Sequence, residues 1–171
     1  ASFRQKPHFA GMKMPAPDER ILARRAEIAA ALSAIVPGEG VIDSEEGRRP
    51  FECDGLTAYR QIPMLVVLPE TTAEVSAILK YCKREGIKVV PRGAGTSLSG
   101  GALPLADGVL LGLAKFNRIL EIDYANRCAV VQPGVTNLAI TQAVEHEGFY
   151  YAPDPSSQIA CTIGGNVAEN S

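Results

Sequence analysis

Apolar residues recur at helical spacing from Asp18 onward. Ile21, Leu22, Ile28, Ala29, Leu32, Ile35 and Val36 mark one face, Asp18 can cap it, and Pro37-Gly38 ends it. The next stretch, Glu39 to Arg60, is acidic and then mixed without a clean period, and reads as a wrap over the surface on the way to the core. Within it Glu45-Glu46 read as a solvated charge pair rather than a general acid and base. Met64-Leu65-Val66-Val67-Leu68, fenced by Pro63 and Pro69, predicts a short buried strand. Thr71-Thr72-Ala73-Glu74 then fits the capping box that opens a helix, with Val75, Ile78, Leu79 and Cys82 as its buried stripe and Gly86 just past its end. The run Ile87-Lys88-Val89-Val90 follows. Strand, helix and strand in this order predict two parallel strands joined by a right-handed crossover.

Beyond a glycine-rich stretch, Val109 to Leu113 is another buried strand. The runs Arg118 to Asp123 and Arg127 to Gln132, linked by Tyr124-Ala125-Asn126, predict a hairpin with which the sheet turns antiparallel. Pro133-Gly134 breaks it. Thr136 can cap a helix over Asn137 to Glu147 with Leu138, Ile140, Ala143 and Val144 as apolar positions and Gly148 beyond. His146, among glutamates on that helix, reads as a surface residue or a partner of the helix dipole, not as a ligand. The organisation expected is a leader over 1–17, a helix and wrapping segment over 18–60, and a ligand-binding domain over 61–171.

Composition narrows the functional classes. With 46% hydrophobic and 21% charged residues in 171, the chain is an ordinary globular sequence with room for one core. A formal net charge of −2 supplies no basic field, so nucleic acid is not an expected partner. No apolar run reaches the roughly 18–20 residues that span a bilayer, and the opening Ala1 to Pro17 lacks the apolar centre of a secretory signal. Cys53, Cys82, Cys128 and Cys161 are too scattered for a zinc cluster and read as reduced thiols of a cytoplasmic protein. No metal site is expected.

Two stretches carry candidate chemistry. Pro91-Arg92-Gly93-Ala94-Gly95-Thr96-Ser97-Leu98-Ser99-Gly100-Gly101 lies between two apolar strands. Glycines let backbone N–H groups approach a ligand, and Thr96, Ser97 and Ser99 add hydroxyl donors around an expected anion, most simply phosphate. Arg92 is expected at its mouth. The dinucleotide fingerprint fails, since Leu98 stands where its last glycine belongs, and the P-loop fails because Gly101-Ala102 replaces Lys-Ser/Thr. The loop's own amides are therefore expected to hold the anion, without a helix end or a lysine. In the second stretch, Pro153-Asp154-Pro155-Ser156-Ser157 through Cys161-Thr162-Ile163-Gly164-Gly165-Asn166, the prolines around Asp154 predict a rigid extended loop and Gly164-Gly165 a second close approach of backbone, with small residues against which something flat can lie.

Together these two motifs resemble those of the vanillyl-alcohol oxidase / p-cresol methylhydroxylase superfamily, and within it the FAD-linked branch acting on glycolate and D-lactate. The likeness extends from about Asp18 to the end of the chain. It implies an α+β fold in which a small parallel β-α-β subdomain packs on a mostly antiparallel one with extended FAD between them. Carried over, Arg92, Gly93, Ala94, Gly95, Thr96, Ser97, Gly100 and Gly101 would lie against the pyrophosphate, and Pro153, Asp154, Ser157, Thr162, Gly164, Gly165 and Asn166 would border the ring and ribityl chain. Some relatives attach FAD covalently through a histidine in the first loop; Thr96 stands in that region here, so noncovalent FAD is expected. Family members continue past the equivalent of Ser171 into regions bearing the catalytic and metal-binding residues. The sequence is thus expected to be an N-terminal part, without a catalytic residue of its own, inactive alone and holding FAD weakly or not at all. The resemblance implies a small 2-hydroxy-acid substrate, partner electron-transfer subunits or a quinone as acceptor, and a cytoplasmic location that reaches the inner membrane through partners. Two other readings are a reductase of cell-wall precursor synthesis on a related fold, against which the Pro-Asp-Pro-Ser-Ser stretch argues, and a non-catalytic module binding a nucleotide or a protein.

Overall fold

A computed structural model describes residues 14–153 and 155–170. The organising element is a four-stranded sheet in the order β1 (Val41–Ile42), β2 (Leu65–Val67), β4 (Gly108–Gly112), β3 (Lys88–Arg92). Strands β2, β3 and β4 are parallel and β1 is antiparallel on the edge. The two strands expected to be parallel are so, with β4 inserted between them. β4 is buried along its whole length, the signature of a central parallel strand covered on both faces.

Helices α1 (Glu19–Ala23) and α2 (Arg25–Ile35) replace the single helix expected from Asp18. The chain breaks at Arg24, whose guanidinium bridges Glu27 and Glu85, each at 2.8 Å, and so ties the N-terminal helices to the end of α4 (Thr72–Glu85). The capping box of α4 forms as read, with both Thr71 and Glu74 side chains engaged, and Gly86 closes the helix at φ 69°. Ile28 and Leu32 of α2, Val36 just past its end, Ile78 and Cys82 of α4, and Leu65, Val67, Val109 and Leu111 of the sheet make one core. Burial pushes the Cys82 thiol up to about 11, which makes it a packing group at neutral pH.

The wrapping segment is more structured than its sequence suggests. It supplies β1, the short helix α3 (Glu45–Arg48), in which Glu45 and Glu46 are exposed, and a buried Arg48 whose Nη1 donates to the Pro63 carbonyl at 2.6 Å. The hairpin β5 (Ile119–Asp123) and β6 (Cys128–Val131) is antiparallel as expected, but forms a separate two-stranded sheet instead of extending the first. Helix α5 (Asn137–Val144) is capped by Thr136, and its expected last turn is a 3-10 turn over Glu145–Glu147 that ends at Gly148, φ 77°.

Asp107, at the entry to β4, is 3% exposed and accepts from Lys88 Nζ at 2.7 Å and from the Asp18 N–H at 2.9 Å. Burial pushes its carboxyl up, but the Lys88 ammonium and the Asp18 N–H outweigh it and hold the group below the usual carboxylate range. A carboxyl that is lower folded than unfolded stabilises the fold above its unfolded value, about 4, and that contribution is lost as pH falls through the folded value. Urea midpoints are therefore expected to fall on acidification below about pH 4 by more in the parent chain than in Asp107→Asn. Parallel pH profiles would contradict this role.

Candidate functional site

The connection from β3 to β4, residues 93–107, joins two adjacent parallel strands without a helix, so the glycine-rich loop leaves the carboxyl end of β3. Such ends are where ligands sit in parallel sheets. Gly95 has φ 72° and Gly100 φ 79°, conformations that favour glycine. Among the described residues, the N–H groups of residues 93–97 have no protein hydrogen-bond partner, so these donors are left open.

Arg92 is not at the mouth of this loop. Only 8% exposed, its guanidinium turns inward, donating from Nη1 to the Phe51 carbonyl at 3.0 Å and from Nη2 to the Cys53 carbonyl at 2.5 Å, with its charged end 5.9 Å from the centre of the Phe51 ring. A charge so placed is balanced by carbonyl dipoles and positions backbone; desolvation holds its pKa below the ordinary value. The wrapping segment supports the loop from beneath in a second way. A side chain at Gly55 would come within 2.6 Å of the Thr96 carbonyl oxygen and 2.7 Å of that of Ser97. Loop and segment therefore fit only as bare backbone.

The second wall includes a short helix that the sequence does not announce. Thr162 precedes α6 (Ile163–Glu169), and Gly164, Gly165 and Asn166 lie inside it. Its first two N–H groups are spent on the chain that leaves β6: Ile163 donates to Val135 O at 2.9 Å and Gly164 to Pro133 O at 2.8 Å. Gly164 is required for that approach, since a Cβ there would meet the Pro133 side chain at 2.7 Å. Asn166 Nδ2 donates to Asn137 Oδ1 at 2.6 Å, and Asn137 Nδ2 to the Pro153 carbonyl at 3.2 Å. Asn137, 1% exposed, thus ties α5, α6 and the proline segment together.

The two walls meet. A side chain at Gly93 would come within 2.5 Å of Thr162 Oγ1, so first loop and α6 touch at this point. Between them lies a cleft of about 640 Å³ lined by Arg92, Gly93, Ala94, Gly95, Thr96, Ser97 and Gly101 on one side and by Pro153, Ser157, Thr162, Gly164, Gly165 and Asn166 on the other. Gly100 does not line it; its α-carbon faces the side chains of Leu103 and Leu56. Asp154 lies outside the described residues. Sequence reasoning missed Asn137 and Glu169, which also line the cleft. Thr162 Oγ1 is buried and, among the described residues, has no hydrogen-bond partner.

A cleft of this size, walled largely by bare backbone and lined by residues with open amides, suits a large, phosphate-bearing cofactor. Residues 63–171 match the family described as FAD binding domain, and the chain belongs to it. It is 59% identical over 146 residues to the glycolate oxidase subunit GlcD of Escherichia coli K12, covering 85% of this chain and 29% of that protein. It is 38% identical over 131 residues to a D-lactate dehydrogenase of Anaerostipes hadrus, covering 76% of this chain and 27% of the relative. The chain thus spans under a third of the length of these relatives. The solved structure of p-cresol methylhydroxylase with substrate bound shares the fold at a TM-score of 0.73 and 20% identity, over 90% of this chain and 30% of the other. The α+β, p-cresol-methylhydroxylase-type fold is therefore the fold of this chain. Among the described residues no helix is long and apolar enough to cross a membrane, and no group of three or more His, Cys, Asp or Glu could hold a metal ion.

Proposed function

We propose that this chain is the FAD-binding portion of a flavin-dependent 2-hydroxy-acid dehydrogenase that oxidises glycolate or D-lactate to the 2-oxo acid. The observation that carries the reading is the convergence of two glycine-rich stretches, some seventy residues apart (Gly93 against Thr162), on one cleft. The residues present suit FAD. Open N–H groups over 93–97 would receive the pyrophosphate, and the bare backbone of Gly93, Gly164 and Gly165 lets the two walls stand close.

FAD, when bound, supplies the two-electron acceptor that 2-hydroxy-acid oxidation requires. The chain's own residues bind and orient. Arg92 fixes the course of the loop through the Phe51 and Cys53 carbonyls, and Asn137 holds α6 to α5 and to the proline segment. We assign no catalytic residue to the described stretch. Relatives named for glycolate and D-lactate support the substrate class, and the subunit character of the first supports electron transfer to partner subunits or a quinone. The protein is placed in the cytoplasm, where four free cysteines are in keeping with a reducing compartment.

The cofactor is held without a covalent bond. His146 is exposed, lies 3.8 Å from Glu147 and does not line the cleft, and His8 lies outside the described residues. Titrating the full-length protein with FAD in excess should quench flavin fluorescence saturably, and acid precipitation should leave the flavin in the supernatant. Unquenched flavin throughout would defeat the cofactor reading; flavin carried down with the precipitate would defeat the noncovalent one.

A further inference from the structure

Two of the three hydroxyls that the first loop would offer to an anion, those of Ser97 and Ser99, are already engaged by one. Ser97 Oγ donates to Glu169 Oε1 at 3.0 Å and Ser99 Oγ to Glu169 Oε2 at 2.6 Å, joining the glycine-rich loop to the last turn of α6. The Ser99 N–H donates to Ser97 Oγ at 3.1 Å. Each hydroxyl has a single proton, so with both turned to the carboxylate neither is free to donate to a second anion. The charge is also uncompensated locally. Arg92 is the only basic residue lining the described cleft, and its guanidinium is committed to the Phe51 and Cys53 carbonyls.

We infer that Glu169 is a resident anion that competes with the cofactor's diphosphate for Ser97 and Ser99 and sets the affinity of the cleft for it, an inference that rests on the flavin reading above. Entry of a diphosphate at the loop amides places like charges side by side. Either the carboxylate swings away, which an exposed side chain at a helix end can do, or the diphosphate binds against its field. Both routes weaken binding. Glutamine at 169 keeps an acceptor oxygen for the serines and removes the charge.

The test is a comparison, within the full-length protein, of the parent chain, Glu169→Gln and Glu39→Gln, a control at an exposed glutamate outside the cleft. FAD binding is read by flavin fluorescence, and ADP, which carries the diphosphate without the flavin, by calorimetry. Glu169→Gln is expected to bind both roughly ten-fold more tightly at low salt. The gain should shrink to about two-fold near 1 M salt, where the Debye length is about 3 Å, while Glu39→Gln stays at the parent value. Tightening that persists undiminished in high salt, or equal or weaker binding by Glu169→Gln beside a parent chain that binds FAD, overturns the inference and leaves the flavin reading intact. Failure of every variant to bind FAD overturns both.

Discussion

Valine in place of Gly95 is expected to abolish FAD binding and to lower stability by about 2–4 kcal/mol. Two effects add. At φ 72° a β-branched residue is strained by its own backbone, and the new Cβ would overlap the Arg92 guanidinium. That group cannot step aside without giving up its bonds to the Phe51 and Cys53 carbonyls. The loop must therefore move, and with it the open N–H groups of residues 93–97. Alanine, which lacks the β-branch, should cost less than valine but in the same direction. Urea unfolding read by circular dichroism, with flavin titration of the same samples, checks both parts. A valine variant with parent stability and affinity would show that the loop does not depend on this geometry.

The second large effect is expected from Arg92→Met. Methionine fills much of the volume but donates nothing, so two charge-assisted hydrogen bonds are lost and the segment 51–56 is released from the loop. Hydrogen bonds to charged groups contribute about 1.5–3 kcal/mol each, with part of that regained as water reaches the half-exposed carbonyls. A net loss of about 2–4 kcal/mol is expected, with new protease cleavage between Glu52 and Arg60 under native conditions and weaker FAD binding. Lysine should rescue little, because one ammonium cannot match the fork of donors that reaches two carbonyls. If Arg92→Met left the cleavage pattern unchanged, the proposed buttress would be wrong.

These residues also show what could be read from the sequence. The α4 capping box, its Gly86 terminus and the parallel relation of β2 and β3 follow from local patterns, and the structure repeats them. The insertion of β4 between β2 and β3 is a non-local pairing that no period announces. β1 is two residues long, too short for alternation to register, and the break at Arg24 depends on Glu85, sixty-one residues away. Both walls of the cleft were legible because glycine and proline mark where backbone must be bare or rigid. The helix α6 was hidden by those same glycines, since Gly-Gly lowers helix propensity and tertiary contacts, among them those to Pro133, Val135 and Asn137, hold it in place. Arg92 was recognised but turned the wrong way, because its acceptors are main-chain carbonyls at Phe51 and Cys53 and carry no side-chain signature. Asn137 read as an unremarkable first residue of a helix. Its importance is visible only once Pro153 and Asn166 are beside it.

Hydrogen exchange of the full-length protein with and without saturating FAD tests most directly whether the two stretches act as one cofactor site. Slowed exchange is expected together over residues 93–101 and 162–166, with the β5–β6 hairpin unchanged. Protection confined to one of these stretches, or absent from both, would contradict a cleft closed by the two of them.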